Sequence, residues 1–265
     1  MSWALILKTL RDRWRNAAGW AGIGGLMAVI QLYIYPSIKE SSDAMDKFID
    51  VFPKELIAMF RIEDYTSSVG FLGTELFSMM IPMVFIALGA SWGASAAAEE
   101  EDRGTSEIIY ALPIRRHQVL ISKMMATWLV MVATGIFLVL EITIGSTVVD
   151  LNLEGVDLIA ATAGCLSLGV FFHGLSLAIG SLTGHRGIAI GASIGLGLLS
   201  FLIFALAPLV DTFDAILPFN PFEWALGNNP LKEGVDWPGL GWLGLGGLIG
   251  YAIALVAIDR RDLDA

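Results

Sequence analysis

Residues 96–123 read AAAEEEDRGTSEIIYALPIRRHQVLISK and form a strongly charged block between two of the most apolar runs of the chain. The flanking runs, 71–97 and 124–144, are each long enough to cross a membrane, because a hydrocarbon core of about 30 Å takes about 20 apolar residues as a helix. The charged block is therefore predicted to be a connection, residues 98–123, that lies outside the membrane between two spanning helices.

Composition supports a membrane protein. The 265 residues are 55% hydrophobic and 16% charged, whereas a soluble domain has about 25% charged residues. None of the long apolar runs alternates with polar residues as the strands of a membrane barrel do, so we expect an all-α integral membrane protein in one domain, 1–265. The predicted spans are 17–35, 71–97, 124–144, 158–182, 187–210 and 240–258, with outer loops at 36–70 and 211–239.

The basic residues are distributed unequally between the two sides. With six spans both termini share a side, and that side collects 11 of the 16 Lys and Arg residues. Positive charge marks the cytoplasmic side, so both termini and the charged block are predicted to face the cytoplasm. The other side is acidic, which fits either solvation in a salty medium or attraction of a cationic substrate.

The segment before the first span, residues 1–16, is amphipathic. Trp3, Ile6, Leu7, Leu10 and Trp14 share one helical face and basic residues occupy the other. This pattern predicts an interfacial elbow helix in contact with membrane lipid, followed by a first span that ends at Tyr35-Pro36. In the first outer loop, residues 52–60 (FPKELIAMF) predict a second short amphipathic helix that begins near Pro53.

Glycines recur in the fourth and fifth spans. Gly187, Gly191 and Gly195 lie four residues apart in the fifth span, a spacing that lets helix backbones touch in lipid. We expect these glycines to contact the chain itself rather than a second copy. The fourth span supplies its own glycines as the expected partners: Gly164, Gly169, Gly174 and Gly180.

Catalytic and metal-binding motifs are missing from the sequence. The dipeptide Gly-Lys is absent, so there is no phosphate-binding loop of the G-x-x-x-x-G-K-[ST] type. No His/Cys pair has metal-ligand spacing, and we predict neither a catalytic residue nor a metal site. His173 lies near the middle of the fourth span, where an ionisable group is either functional or a neutral imidazole bonded to a neighbouring helix. Glu141 lies near the outer end of the third span and is a second residue that either lines a pathway or packs.

The charged block reads as helix, turn, short helix and turn. The second span continues through Glu99 and Glu100, Gly104 allows a left-handed turn, and Thr105 or Ser106 can cap a new helix with Glu107 in its first turn. That helix ends at Pro113. Its apolar residues, Ile108, Ile109 and Leu112, fit either a groove on a partner or the chain's own helices.

The block resembles the signature between helices 2 and 3 of type-2 ABC-transporter permeases. The matching pattern is an acidic run, Gly-Thr, Glu, apolar residues, Leu-Pro, basic residues and a lysine. These are Glu99 to Asp102, Gly104-Thr105, Glu107, Ile108-Ile109, Leu112-Pro113, Arg115-Arg116 and Lys123. Ser106 is inserted relative to the pattern. The segment 217–245 and the ending AIDRRDL resemble the last outer loop, last helix and C-terminus of the same family, so the resemblance extends over essentially the whole chain.

The resemblance implies a permease subunit of an ABC exporter. It implies a homodimer or a pair of permeases, bound to a separate ATPase subunit that carries ATP and Mg²⁺, with no cofactor on this chain. It makes 104–113 the coupling helix, seated in a groove of the ATPase, and the implied ATPase-binding residues are Glu99, Glu100, Gly104, Thr105, Glu107, Ile108, Ile109, Leu112, Pro113, Arg115 and Arg116. The expected location is the plasma membrane of a prokaryote, and no nucleic acid is expected as a partner.

One alternative has the same coupling helix. The ATPase could drive a membrane module that does mechanical or regulatory work on another membrane protein, without a transport pathway. An intramembrane protease would need acids and histidines deep in several spans, which the sequence does not supply.

Overall fold

Six long helices dominate the computed structural model, which describes residues 3–49, 51–62, 64–102 and 116–260. Over these residues the protein is all-helical, as predicted, and six helical segments are long and apolar enough to cross a membrane. The spanning helices are α1 (Trp3–Glu40), α5 (Met80–Asp102), α6 (Arg116–Val148), α7 (Leu158–Thr183), α8 (Arg186–Leu206) and α11 (Trp237–Arg260). The segment before α5 is also helical, in α4 (Ser68–Leu72) and a π-helical turn, Gly73–Phe77.

Helix α1 differs from its prediction in two respects. It runs unbroken through residue 16, so the structure has no separate elbow helix, and it continues through Pro36 to Glu40 instead of ending there. The segment 3–16 contains neither Gly nor Pro that would break the helix. Its 38 residues correspond to roughly 57 Å, more than a hydrocarbon core, so part of α1 must lie outside the core. Trp3 and Trp14 are exposed and Ile6 is buried.

Helix α7 lies at the centre of the bundle. It packs on α5 and α11 most extensively and also on α6 and α8. Asp157 begins the helix, since its carboxylate accepts a hydrogen bond from the Ala160 N–H at 2.8 Å. Gly184 ends it with a positive φ of 71°, a conformation that glycine adopts without strain.

The glycines of α7 are in contact with other helices. A Cβ on Gly169 would lie 2.9 Å from the backbone oxygen of Phe85 in α5, and one on Gly174 would lie 2.5 Å from that of Gly247 in α11. Backbones therefore meet at these positions, as small residues permit in membrane bundles. The close packing predicted for this span is present, but it is mainly against α5 and α11 rather than the fifth span.

Helix α8 contradicts its prediction. A Cβ built on Gly187, Gly191 or Gly195 would have nothing within 4 Å. The three glycines therefore do not contact the rest of the described chain, and the expectation of an intramolecular seam was wrong. The reason is the orientation of α8, whose buried face carries Ala189, Ser193, Gly197, Ser200 and Phe204 instead.

Short helices fill the loops at the opposite end from the chain termini. The first loop holds α2 (Ser42–Ile49) and α3 (Lys54–Phe60), and Pro53 is the N-cap of α3, in accordance with the helix predicted in 52–60. The last loop holds α9 (Pro221–Leu226) and α10 (Pro230–Glu233). Asn220 begins α9 and accepts a hydrogen bond from the Phe222 N–H at 2.8 Å.

Candidate functional site

The predicted coupling region lies between the end of α5 and the start of α6. Of its residues, Gly104, Thr105, Glu107, Ile108, Ile109, Leu112, Pro113 and Arg115 lie outside the described residues, as does the side chain of Glu100. The site is therefore described by its two flanks, which contain Glu99 and Arg116.

Glu99 belongs to a contact between α1 and α5. Arg13 forms an ion pair with Glu99, and the Arg13 guanidinium lies 5.5 Å from the ring centre of Trp92, which precedes Glu99 by about two turns of α5. The indole N–H of Trp92 donates to Asn16 Oδ1 at 2.7 Å. We name Arg13, Asn16, Trp92 and Glu99 the α1–α5 clamp. Both charged side chains are largely shielded from solvent, so the pair is less screened than an exposed ion pair.

The second flank is also bonded to the chain. Arg116 donates to the backbone oxygen of Ile258 in α11 at 3.3 Å, and Lys123 of α6 donates to that of Ala96 in α5 at 3.4 Å. The family resemblance implies that Glu99 and Arg116 bind the ATPase, and the sequence pattern does not predict their contacts within the chain. A tryptophan in an apolar span was an available signal for the clamp, because a buried indole N–H usually has a hydrogen-bond partner.

His173 is fully buried between three helices. Its Nδ1 lies 3.0 Å from the hydroxyl of Tyr251 in α11. That hydroxyl accepts a hydrogen bond from the indole N–H of Trp128 in α6 at 2.8 Å and lies 3.2 Å from the backbone oxygen of Val170. The Tyr251 hydroxyl donates to the backbone oxygen of Val170. When His173 carries its proton on Nδ1, that N–H donates to Tyr251, and the polar protons of Trp128, Tyr251 and His173 all have an acceptor. This arrangement is typical of interhelical packing.

Glu141 faces a different environment. It lies between α6 and α1, and its Oε2 is buried without a hydrogen-bond partner among the described residues. A Cβ on Gly25 of α1 would lie 2.6 Å from this oxygen, so the glycine leaves room for the carboxylate. Apolar side chains surround it in a groove of about 420 Å³. His173 and Glu141 are not brought together, because His173 is enclosed between α6, α7 and α11 whereas Glu141 lies between α1 and α6.

Glu75 is the centre of a polar contact near the π-helical turn. Its two carboxylate oxygens accept hydrogen bonds from Tyr65 at 2.6 Å and from the amide of Gln31 at 3.0 Å. Burial, assisted by the adjacent Glu75 carboxylate, raises the pKa of the Tyr65 hydroxyl, which therefore remains a donor. Glu75 thus joins α1 to the loop before α4.

A second cavity, of about 250 Å³, opens between α3 and the last loop. Arg61 lines it, donates to the backbone oxygen of Leu226 at 3.0 Å, and lies 4.3 Å from the ring centre of Phe204. Burial raises the pKa of nearby Glu223, an effect that Arg61 opposes and Asp236 reinforces. These contacts hold the loop after α1 and the loop after α8 together.

The six long helices with a charged connection after the second define a multi-pass membrane protein of the permease type. The family model described as ABC-2 family transporter protein matches residues 3–263, so the chain belongs to the ABC-2 transporter family and is a membrane component of it. Comparisons with curated proteins and with solved structures gave no match.

Proposed function

We propose that this chain is the permease subunit of an ATP-driven exporter that works as a dimer with a separate ATPase subunit. The observation that carries the proposal is the family match over 3–263 together with the charged block between α5 and α6. Family members of this kind are membrane components and generally not catalytic. ATP and Mg²⁺ would be bound by the partner, since this chain lacks a phosphate-binding loop.

The coupling step would act through the two flanks. A partner that moves residues 104–113 would displace the end of α5 and the start of α6, because these helices lead into and out of the segment. The α1–α5 clamp ties α5 to α1, and α5 packs along the central helix α7. A shift of α5 would therefore move α1 and α7 with it, as packed helices move in rigid-body transitions.

The dimer would use surface that one chain leaves uncovered. Gly187, Gly191 and Gly195 of α8 face open space, and backbone approach at small residues is a common way for helices to associate in lipid. We propose α8 as part of the contact with a second permease. His173 is enclosed within one chain and would serve packing, whereas Glu141 faces outward and would be available to a pathway.

The proposed orientation places both termini and the charged block in the cytoplasm of a prokaryotic cell, on the basis of the positive-inside rule. Single cysteines at positions 43 and 261 test it, because the only native cysteine, Cys165, is fully buried. We expect an impermeant maleimide to label intact cells carrying Asp43→Cys and not Arg261→Cys. Labelling of position 261 from outside would contradict the topology.

The decisive experiment concerns the coupling residues. Ile108→Asp and Leu112→Asp place a charge where an apolar groove is proposed, at a cost of several kcal/mol, and we expect each to abolish co-purification of an ABC ATPase that is co-expressed with this chain and binds the wild type. Ile108→Leu and Leu112→Ile keep an apolar side chain and are expected to bind normally. Unchanged co-purification of both aspartate variants, with normal membrane insertion, would overturn the assignment. Normal complexes that move no substrate would instead favour a non-transport module.

A further inference from the structure

The surface between α1 and α6 contains an apolar groove with one carboxylate. Glu141 is its one charged member among the described residues, and the lining is otherwise Val29, Leu32, Phe137, Leu140, Ile144 and Gly145. Leu140 and Ile144 are 55% and 65% exposed, so the groove opens sideways from the chain toward the surrounding lipid. Its volume, about 420 Å³, is in the range of small-molecule sites, roughly 300–1,000 Å³.

The chain keeps space for the carboxylate. At Gly25 a Cβ would lie 2.6 Å from Glu141 Oε2 and 2.8 Å from Phe137 Cε1, and at Gly145 a Cβ would lie 2.5 Å from Leu32 Cδ1. Two glycines thus allow α1 and α6 to approach closely while Glu141 stays between them. No hydrogen bond or ion pair engages Glu141 within the described residues, and its Oε2 is buried.

An unpaired carboxylate in apolar surroundings favours a cation. Ionised side chains within membranes are expensive, and they usually pair or mark a substrate path. Lys39, at the end of α1, does not serve Glu141, because it pairs with Asp150 at 2.9 Å. A ligand that brings a positive charge into the groove would supply the missing partner.

The chemistry of the groove selects an organic cation over a metal ion. Ca²⁺ takes six to eight oxygen ligands, and Mg²⁺ requires six in near-ideal geometry. In the described parts of the chain no group of three or more His, Cys, Asp and Glu could hold a metal. An ammonium group needs only one carboxylate, and an attached alkyl or aryl chain would bury apolar surface against Leu140, Ile144 and Val29.

We propose that the groove between α1 and α6 is a binding site for amphiphilic amines, with Glu141 pairing with the ammonium group and the apolar lining contacting the hydrophobic part. Glu141 lies seven residues before the end of α6 at Val148, about 10 Å along the helix axis. The site therefore lies toward the end of α6 that the orientation proposed above places in the outer half of the bilayer. Its role as an entry point for cargo rests on the function proposed above, whereas binding itself does not.

The test uses the full chain, without the ATPase, in phosphatidylcholine nanodiscs. Dansylcadaverine, a fluorescent amphiphile with a primary amine, is titrated against its N-acetylated analogue, which lacks the charge. We expect the amine to bind at least tenfold more tightly than the analogue, and Glu141→Gln to remove that difference. Glu154→Gln, which neutralises an exposed carboxylate in the loop after α6, is expected to change the affinity less than twofold.

A second pair of variants tests the geometry. Gly25→Ala should weaken binding of the amine at least fivefold, because the added methyl would lie 2.6 Å from Glu141 Oε2 and force the carboxylate to move. Gly22→Ala should not, since a Cβ there meets nothing within 4 Å. Equal binding of the two probes, or full affinity in Glu141→Gln, overturns the site. The site is also overturned if Glu141→Gln reduces the dimer fraction in native mass spectrometry while probe binding is unchanged, because the groove would then hold a second copy of the chain. If the wild-type chain does not co-purify with an ATPase, the proposed function fails, but the proposed amine-binding site does not.

Discussion

Helices α7 and α8 are neighbours in sequence, both rich in glycine, and their glycines have opposite surroundings. In α7 a Cβ on Gly164, Gly169 or Gly174 would lie within 3 Å of another helix's backbone, whereas in α8 a Cβ on Gly187, Gly191 or Gly195 would meet nothing. Small-residue spacing therefore indicates where backbones can approach, not which surface approaches them. The difference is set by position in the bundle, since α7 packs on α5, α6, α8, α9, α10 and α11, whereas α8 packs mainly on α5 and α7.

The largest expected effect is at Gly174. Gly174→Ala places a methyl 2.5 Å from the backbone oxygen of Gly247, and overpacking of this kind costs typically about 1–3 kcal/mol. We expect a clearly lower thermal unfolding midpoint in detergent. Gly191→Ala is the matched control and should leave the midpoint unchanged. Equal midpoints for the two variants would show that the close backbone contacts of the α7 glycines do not affect the stability of the protein.

A smaller effect is expected where α8 is held to the bundle. Ser200 of α8 donates to Asn220 Oδ1 at 2.6 Å, and the Asn220 amide donates to the Ser200 backbone oxygen at 2.8 Å. Because Asn220 also caps α9, Asn220→Ala should cost about 0.5–2 kcal/mol. The change would be measured as a lower unfolding midpoint. Asn152→Ala, which removes an exposed loop hydrogen bond, should have little effect, and an equal loss in both would refute the anchoring role.

The exposed glycines of α8 should matter for association rather than for folding. Gly191→Leu is expected to preserve the unfolding midpoint of the single chain and to reduce the dimer fraction severalfold in nanodiscs, measured by native mass spectrometry. Gly241→Leu on α11, where a Cβ also meets nothing, serves as the control and should leave the dimer intact. A dimer fraction unaffected by Gly191→Leu would mean that this face of α8 borders lipid.

The smallest effect is expected at His173 of α7. His173→Gln keeps a group that can bond to Tyr251, and interhelical hydrogen bonds in membrane proteins are worth about 0.6 kcal/mol on average. Assembly with the ATPase and ATP turnover should remain within twofold of the wild-type values. A tenfold loss of turnover with unchanged assembly and unfolding midpoint would instead place His173 in the transport pathway.

The sequence by itself determined the helical class, the presence of six helices long and apolar enough to cross a membrane, the helix that begins after Pro53, and the absence of a phosphate-binding loop. These properties are local, because an apolar run of about 20 residues must satisfy its own backbone hydrogen bonds in lipid whatever its neighbours do. The charged block is likewise one continuous stretch of sequence, so its resemblance to the family signature could be seen without the fold. The family match agrees with that resemblance.

Only the tertiary structure decided which surfaces meet. The contact of Arg13 with Glu99 joins residues 86 positions apart, and that of His173 with Tyr251 joins residues 78 apart. No period in the sequence encodes such pairings. The continuation of α1 through Pro36, the uncovered glycines of α8 and the space that Gly25 leaves for Glu141 likewise depend on neighbouring helices. Packing in a membrane selects partners by shape and by the few polar groups that need one, and both become visible only when the helices are assembled.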